Sequence, residues 1–469
     1  MPTLILPDTF LALLTAFAPC FHAPTSANFA VLVAGWVHCL GRRTVTAVVL
    51  AAGVGGSPHL STFYRFFGRA QWSLDQVGYV LFTLALRWIP PEAPLLVLGD
   101  DTLARKSGKC IALGSMHHDP LRSTRTKPFF SFGHVWVVLA LWVPLPMSRR
   151  RGFALPILVR LYVGAKRGGK ADAPSRPGAG KRRRVADVAY PPDPRPTKLE
   201  LLRELVALVA GWAGARPITL VVDSAYAART ILEARLPTVE VISRLRMDAA
   251  LWTPPPPRRP GRKGRPRRKG RRLPTPAAAA ACCRRWRTLT LELYGRTVSI
   301  QSFTYTALWY GALRAQPVRI VVVRDPTGER RDEAFFGTDP TMPVAVILEG
   351  YARRWTLEVT FHDSKQFLGF ADPQNQTATA VRRTAPLALV VYDLVLLWYA
   401  QYAEGQTPGP FPDWPARPWY RAKSRPSFQD MLTTLRRAGW RQFFSEAPRT
   451  ARWPQNSCTS WPDAVLATA

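Results

Sequence analysis

Apolar and polar positions change their spacing several times along the chain, and each change marks a different kind of element. Residues 1 to about 90 carry apolar runs such as FLALLTAFA and NFAVLVAGWV, broken at His22 to Ser26 and again at GVGGSPHLS, a pattern that predicts a helical unit. From Pro94 the spacing shortens. LLVLG runs into Asp100 and Asp101, and KPFFSFGHVWVVLALWVPL follows as β-branched and aromatic segments that read as consecutive strands. Past a basic, Pro/Gly-rich stretch at 165–197, TKLELLRELVALVAGWAG has helical periodicity and leads to PITLVVD, a buried strand ending at Asp223. AYAARTILEAR reads as a helix and TVEVISRLR as another strand, so the centre of the chain is a mixed α/β core. LTLELYGRTVSIQSF and VRIVVVRDPTGERRDEAFFGTD alternate like antiparallel strands around Gly-containing turns, and a helix begins near Pro343. Beyond about residue 405 the chain is rich in Pro, Trp and Arg around one helix, SFQDMLTTLRRAGW, with a loosely ordered end expected after it.

Two further apolar stretches, VWVVLALWVPLP and APLALVVYDLVLLWYA, fall short of the ~20 residues of a membrane span, and the second contains Asp393. Buried strand or helix is the expectation for both. With no Lys or Arg before Arg42, the N-terminus lacks the charged start of a secretory signal, so a cytoplasmic protein is expected.

Charge alters the picture more than composition does. The 469 residues hold 64 Lys+Arg against 31 Asp+Glu, a formal charge of +33, while 47% hydrophobic residues supply ample core. A compact state with that self-repulsion calls for a polyanion, which makes nucleic acid or an anionic membrane surface the first partner to consider and puts small-molecule metabolism low. Ten of the fifteen residues from Arg258 to Arg272 are basic, so that segment reads as a solvated arm. Its RKGRPRRK core, with Arg262, Lys263 and Arg265, is similar to the AT-hook arms that enter the minor groove; a flexible polybasic linker that binds any backbone has the same composition. The aromatic and basic HLSTFYRFFGRAQWS suits a helix laid against DNA, or simply a packed helix with exposed arginines. Six scattered cysteines without a CxxC pair argue against a zinc ribbon or a disulfide scaffold.

The chemistry-bearing segment is YARRWTLEVTFHDSK. On a helix, Tyr351, Arg354, Glu358 and Lys365 fall within about 60° of one another, giving one face a phenol, two cations and a carboxylate. Trp355 and Phe361 flank that strip and would pack the helix on the sheet. A salt-bridged solvent face would look alike, Arg354 and Glu358 being an i,i+4 pair. Asp100 and Asp223, however, each end a short apolar strand, where open α/β sheets place ligands. Three converging carboxylates need a cation, and hard oxygen ligands favour Mg²⁺ or Mn²⁺, so a two-metal phosphodiester site is implied. On a strand Asp100 and Asp101 point to opposite faces, which leaves the choice between them open. His117 and His118, beside Asp119, and His362 are the alternative metal candidates.

Tyr351, two residues, Arg354, three residues, Glu358, six residues, Lys365 resembles the YREK signature of bacterial DDE transposases of the insertion-sequence-four-like group. VLGDDT and VVDSAY resemble the strands that carry that family's two aspartates, and the resemblance covers roughly residues 90 to 400. The family's order of Asp, a variable residue, then Thr or Ser implies Asp100 as the first acid. It implies an RNase H-like mixed sheet core with helices, interrupted by a β-rich insertion and preceded by a helical N-terminal DNA-binding domain. It also implies that Asp100, Asp223 and Glu358 bind two divalent ions that cut and rejoin DNA. The resulting organisation is a helical unit at 1–90, the first part of the core at 91–245, a basic linker and β-strand insertion at 246–342, the second part of the core at 343–405 and a Pro-rich end at 406–469. Glu358 follows Asp223 by 135 positions (223 to 358), a gap that an insertion accounts for. By the same resemblance the insertion helps hold the transposon end, with Trp286 or Trp309 as candidates to stack on a flipped base, although tryptophans in a β-core pack the same way. Expected partners are the transposon's terminal inverted repeats, target DNA and a second copy of the chain in the synaptic complex, on the bacterial nucleoid. A decayed transposase that only occupies its sites, or a nuclease without joining activity, would share these residues.

Overall fold

A computed structural model of the chain describes residues 4–54, 59–108, 110–164, 195–233, 236–257, 265–404 and 425–446. The N-terminal apolar runs fold as helices α1 (Asp8–Thr15), α2 (Ala23–His38), α3 (Val45–Ala51), α4 (Ser61–Gly68) and α5 (Leu74–Leu86). Local chemistry sets their starts: Pro24 stands in the first turn of α2, and Thr44 Oγ1 accepts from Ala47 N to cap α3. α2 is apolar nearly all round, and Phe29 and every residue from Val31 to Val37 are buried. Gly35 lets α3 approach this helix, because a Cβ there would sit 2.0 Å from the Val48 carbonyl oxygen.

Next come β1 (Leu95–Arg105), β2 (Ser115–His118), β3 (Phe130–Val143) and β4 (Phe153–Tyr162). α6 (Lys198–Ala213) opens on a capping box in which Thr197 and Glu200 bond reciprocally, and it leads to β5 (Ile218–Val222), the single turn α7 (Arg229–Leu232) and β6 (Val239–Leu245). β4, β3 and β1 are antiparallel neighbours, and β1, β5 and β6 run parallel, giving the order β4-β3-β1-β5-β6. Three antiparallel strands followed by two parallel ones added beside the first is the RNase H-like arrangement. The outer edge of β3 is shared, with β2 pairing its first residues and β4 the rest.

α8 (Pro276–Cys282), β7 (Arg287–Leu293), β8 (Arg296–Leu308), α9 (Tyr310–Leu313), β9 (Pro317–Arg324) and β10 (Glu333–Gly337) form the β-rich stretch. Tyr294 and Gly295 both take positive φ (54° and 76°), the two-residue turn that suits a twisted hairpin. These strands extend the core sheet itself, since β10 pairs with β6 and the order continues β10-β9-β8-β7. α10 (Val344–Arg353), α11 (Trp355–Phe367), α12 (Ala378–Glu404) and α13 (Phe428–Glu446) complete the described elements. α12 is buried continuously from Thr384 to Ala400, and among the described residues no helix is long and apolar enough to cross a membrane.

Five local expectations are corrected. Asp100 and Asp101 lie in the middle of β1, because pairing with β3 continues to Arg105 after the parallel pairing with β5 has stopped at Gly99. KPFFSFGHVWVVLALWVPL gives one long strand from Phe130, since β3 is covered along both edges. AYAARTILEAR yields only one helical turn. The helix expected across residues 351–365 is interrupted at Arg354, where three-residue bonds from Arg354 N to Tyr351 O and from Leu357 N to Arg354 O tighten the path; Trp355, expected to pack, is 49% exposed, while Phe361 is buried.

Candidate active site

The last parallel rung between β1 and β5 joins Gly99 to Val222, so the next residues, Asp100 and Asp223, stand side by side on strands about 4.8 Å apart. Alternation sends both toward the face covered by α10: Gly350 of that helix lies over Val221 and Ile242, and Val221 shares its face with Asp223. Gly99, on the opposite face, leaves room for Leu202 of α6. Asp223 Oδ1 accepts from Ala225 N at 2.6 Å, which turns the chain sharply away from the sheet.

α11 brings the third acid. It is anchored on β4 through Thr360 Oγ1, which donates to the Ala154 carbonyl at 2.9 Å, and its end is tied to the N-terminal helices through Trp36 Nε1, which donates to Leu368 O at 2.8 Å. Arg354, between α10 and α11, bridges two of the acids: Nη1 donates to Asp100 Oδ2 at 2.6 Å and Nη2 to Glu358 Oε1 at 2.8 Å. Tyr351 lies under this guanidinium, its ring centroid 5.6 Å from Cζ, and packs on Phe335. Burial pushes the Asp100 carboxyl up to about 7 against the opposing pull of Arg354, with Asp101 and Asp223 adding like charge. Lys365, two turns further along α11, donates to Thr102 Oγ1 at 2.7 Å, and burial brings its ammonium down to about 8.

The adjacent aspartates differ in partners as well as parity. Asp101 points to the α6 side, where Lys198 Nζ and the Tyr226 hydroxyl each donate to it at 2.7 Å. Asp100, by contrast, faces Arg354 and Glu358.

The fit to a cation rests on the donor set. Asp100, Asp223 and Glu358 offer only hard oxygens, which suits Mg²⁺ or Mn²⁺, and the Arg354 guanidinium already places positive charge between two of them. Its buried Nε has no hydrogen-bond partner. As they stand, no three His, Cys, Asp or Glu side chains among the described residues are close enough to hold a metal, and Arg354 bridges two of the three acids.

The other candidates are not brought to this site. His117 pairs with Ser115 and His118 with Ser123; Asp119 is held by Arg105 and Ser131, and exposed His362 by Asp363. Trp286 is stacked under Arg324 and edge-on to Phe303, and Trp309 packs on Phe336. Arg262 and Lys263 lie outside the described residues; Arg265 is exposed. Farther along the arm, Lys269 lies 3.5 Å over the Trp252 ring. α4 buries Phe63, Phe66 and Phe67 and exposes Tyr64 and Arg65, and Arg69, just past its end, is exposed as well. Lys198 and Tyr226 had no local sequence signal, because their importance lies in contact with a residue about a hundred positions away.

The sequence matches the DDE superfamily endonuclease family over residues 16–301, more than half of the chain. The chain belongs to that family. The DDE-family match includes Asp100 and Asp223 and ends before Glu358. Among curated proteins none matches this endonuclease-family sequence. Among solved structures, that of the piggyBac transposase synaptic complex with hairpin DNA is matched over 99% of this chain and 81% of that one, at 9% identity and a TM-score of 0.36.

Proposed function

We propose that this DDE-family protein is a transposase of the insertion-sequence-four-like group, which cuts the ends of an insertion sequence and joins them to a target. The observation that supports this most is the Arg354 bridge between Asp100 and Glu358, with Asp223 one residue past the last parallel rung, beside Asp100. Asp100, Asp223 and Glu358 would hold divalent ions, Mg²⁺ or Mn²⁺. Such ions, when bound, supply positive charge for the attacking and leaving oxygens of an in-line displacement.

The chain's own groups do the rest. In the first step a water oxygen bonds to the scissile phosphorus, the bond to the 3′ oxygen breaks, and a 3′-hydroxyl is freed. In the second, that hydroxyl oxygen attacks another phosphodiester and displaces its 3′ oxygen, so the number of phosphodiesters is conserved. Arg354, once displaced from the acids, donates its guanidinium fork to a backbone phosphate next to the cut, and Lys365 and Tyr351 grip the same strand from one side of α10 and α11. The basic arm, including Arg262, Lys263 and Arg265, adds backbone attraction independent of sequence. Two copies of the chain pair the two element ends in the synaptic complex.

Glu358→Gln tests the assignment. With Mg²⁺ and element-end DNA, wild-type protein should nick and then join, whereas the variant should shift the DNA in a gel without cutting it. Wild-type cutting by Glu358→Gln refutes the site. A wild-type chain that only shifts DNA is a pure binder, and one that nicks without forming strand-transfer products is a nuclease alone.

A further inference from the structure

β1 does not end at the acid site. Pairing carries on for one residue past the strand, where Lys106 N donates to Phe132 O, so Lys106 keeps the parity of Asp100 and Thr102, six residues and roughly 20 Å from Asp100. Lys106 Nζ donates to the carbonyls of Ala371 (2.8 Å) and Pro373 (2.7 Å), and Ala112 N donates to Asn375 O at 3.0 Å, which fixes the loop at 369–377 beside the end of the strand. On its other side this loop meets the N-terminal helical unit, where Arg43 N donates to Asp372 Oδ2 at 2.9 Å.

Between the loop and α3 and α4 lies a cleft of about 680 Å³, lined by Arg42, Arg43, Arg65, Arg69, Gln374 and Gln376 among others. Four guanidiniums face a single carboxylate, Asp372. Arg42, Arg65 and Arg69 are exposed and form no ion pair among the described residues. Arg43 is 6% exposed, yet its buried Nε has no hydrogen-bond partner, and Nη1 makes only a 3.3 Å bond to Gly41 O. Room for it is reserved by Gly369 (φ +61°), where a Cβ would lie 2.8 Å from Arg43 Cδ and 2.3 Å from Asp372 Oδ2. Three exposed guanidiniums without ion-pair partners among the described residues, around a cleft that is also lined by buried Arg43, have the chemistry of an anion site. Side-chain amides beside it suit a polymer that also presents base and sugar edges.

We propose that this cleft binds backbone phosphates of the DNA duplex several nucleotides from the bond being cut, with β1 as the ruler between grip and acid. The proposal rests on the DNA-cutting function proposed above, and its test is read by binding alone.

Full-length protein is titrated into a labelled generic duplex over a range of salt concentrations, and log affinity is plotted against log salt. Arg65→Ala and Arg69→Ala, both exposed positions, should each reduce the steepness by about 0.9, the value of one phosphate contact. Arg87→Ala, an exposed arginine before the opposite end of β1, should leave the slope at its wild-type value. Melting temperatures of the three variants confirm that each is folded. Equal slopes for all three variants and wild type overturn the cleft, even where Mg²⁺-dependent cutting is intact. Reduced slopes for Arg65→Ala and Arg69→Ala in a chain that cuts no DNA keep the cleft and refute the catalytic reading instead. Displacement of the duplex by a single-stranded RNA of the same length at lower concentration also overturns the proposal.

Discussion

Asp393 is wholly buried in the middle of α12, and neither carboxyl oxygen has a hydrogen-bond partner among the described residues. Its helical neighbours one turn away, Leu389, Val390, Leu396 and Leu397, are also buried and apolar. Burial drives its carboxyl well above the ordinary carboxylate range, so the folded protein keeps a proton that the unfolded chain has already lost. Stability must then fall as pH rises above that range, by up to about 1.4 kcal/mol per pH unit, until the folded carboxyl itself ionises. Asp393→Asn keeps the volume and the amide-like polarity but cannot ionise. Urea unfolding of wild type and variant, followed from about pH 5 to pH 8, should give stability curves that diverge at that rate, with the variant ahead at the alkaline end. The difference between the two proteins cancels every other titrating group. Parallel curves would show that Asp393 has the same protonation in both states, and the reasoning from burial would be wrong.

Two further outcomes test packing and charge pairing away from the three acids. Gly35→Ala would drive a methyl against the Val48 backbone, forcing α2 and α3 apart at a cost of about 1–3 kcal/mol, seen as a lower urea midpoint; an unchanged midpoint would contradict the close approach. Asp119, 1% exposed, accepts from Arg105 Nε and Nη2 and from Ser131 Oγ, and this holds its carboxyl well below the ordinary range. Its contribution is therefore full above the ordinary range and lost as pH falls through the depressed folded value, so Asp119→Asn should cost about 1–2 kcal/mol at neutral pH, discounted for the half-exposed Arg105, and the gap should close in acid.

How much of this was legible depended on how far apart the interacting residues are. Apolar periodicity gave the N-terminal helices, β5, β6 and the β7–β10 meander, because each is written in a few consecutive residues. Spacing alone also put Tyr351, Arg354, Glu358 and Lys365 on one side. The sequence did not reveal that Arg354 interrupts the helix in order to reach Asp100, since that bond spans 254 positions. It did not show how far β1 runs, because the strand's length is set by its pairing with β3 and not by its own apolar run. Arg43 and Lys106 carried no signal; each looks like one cation among many until folding buries it against the 369–377 loop. The β-strand insertion was readable as strands but not as a continuation of the core sheet, which depends on β10 finding β6.

The alternation along β1 joins three separate tasks to one strand: Asp100 faces the catalytic-candidate helix, Asp101 is locked to Lys198 and Tyr226, and Lys106 braces a loop beyond the sheet. A single residue inserted between Gly99 and Lys106 would turn some of these side chains through the sheet and leave the others where they were. This short interval is therefore of fixed length in a way that the chain's loops are not, and natural length variants of this protein should spare it.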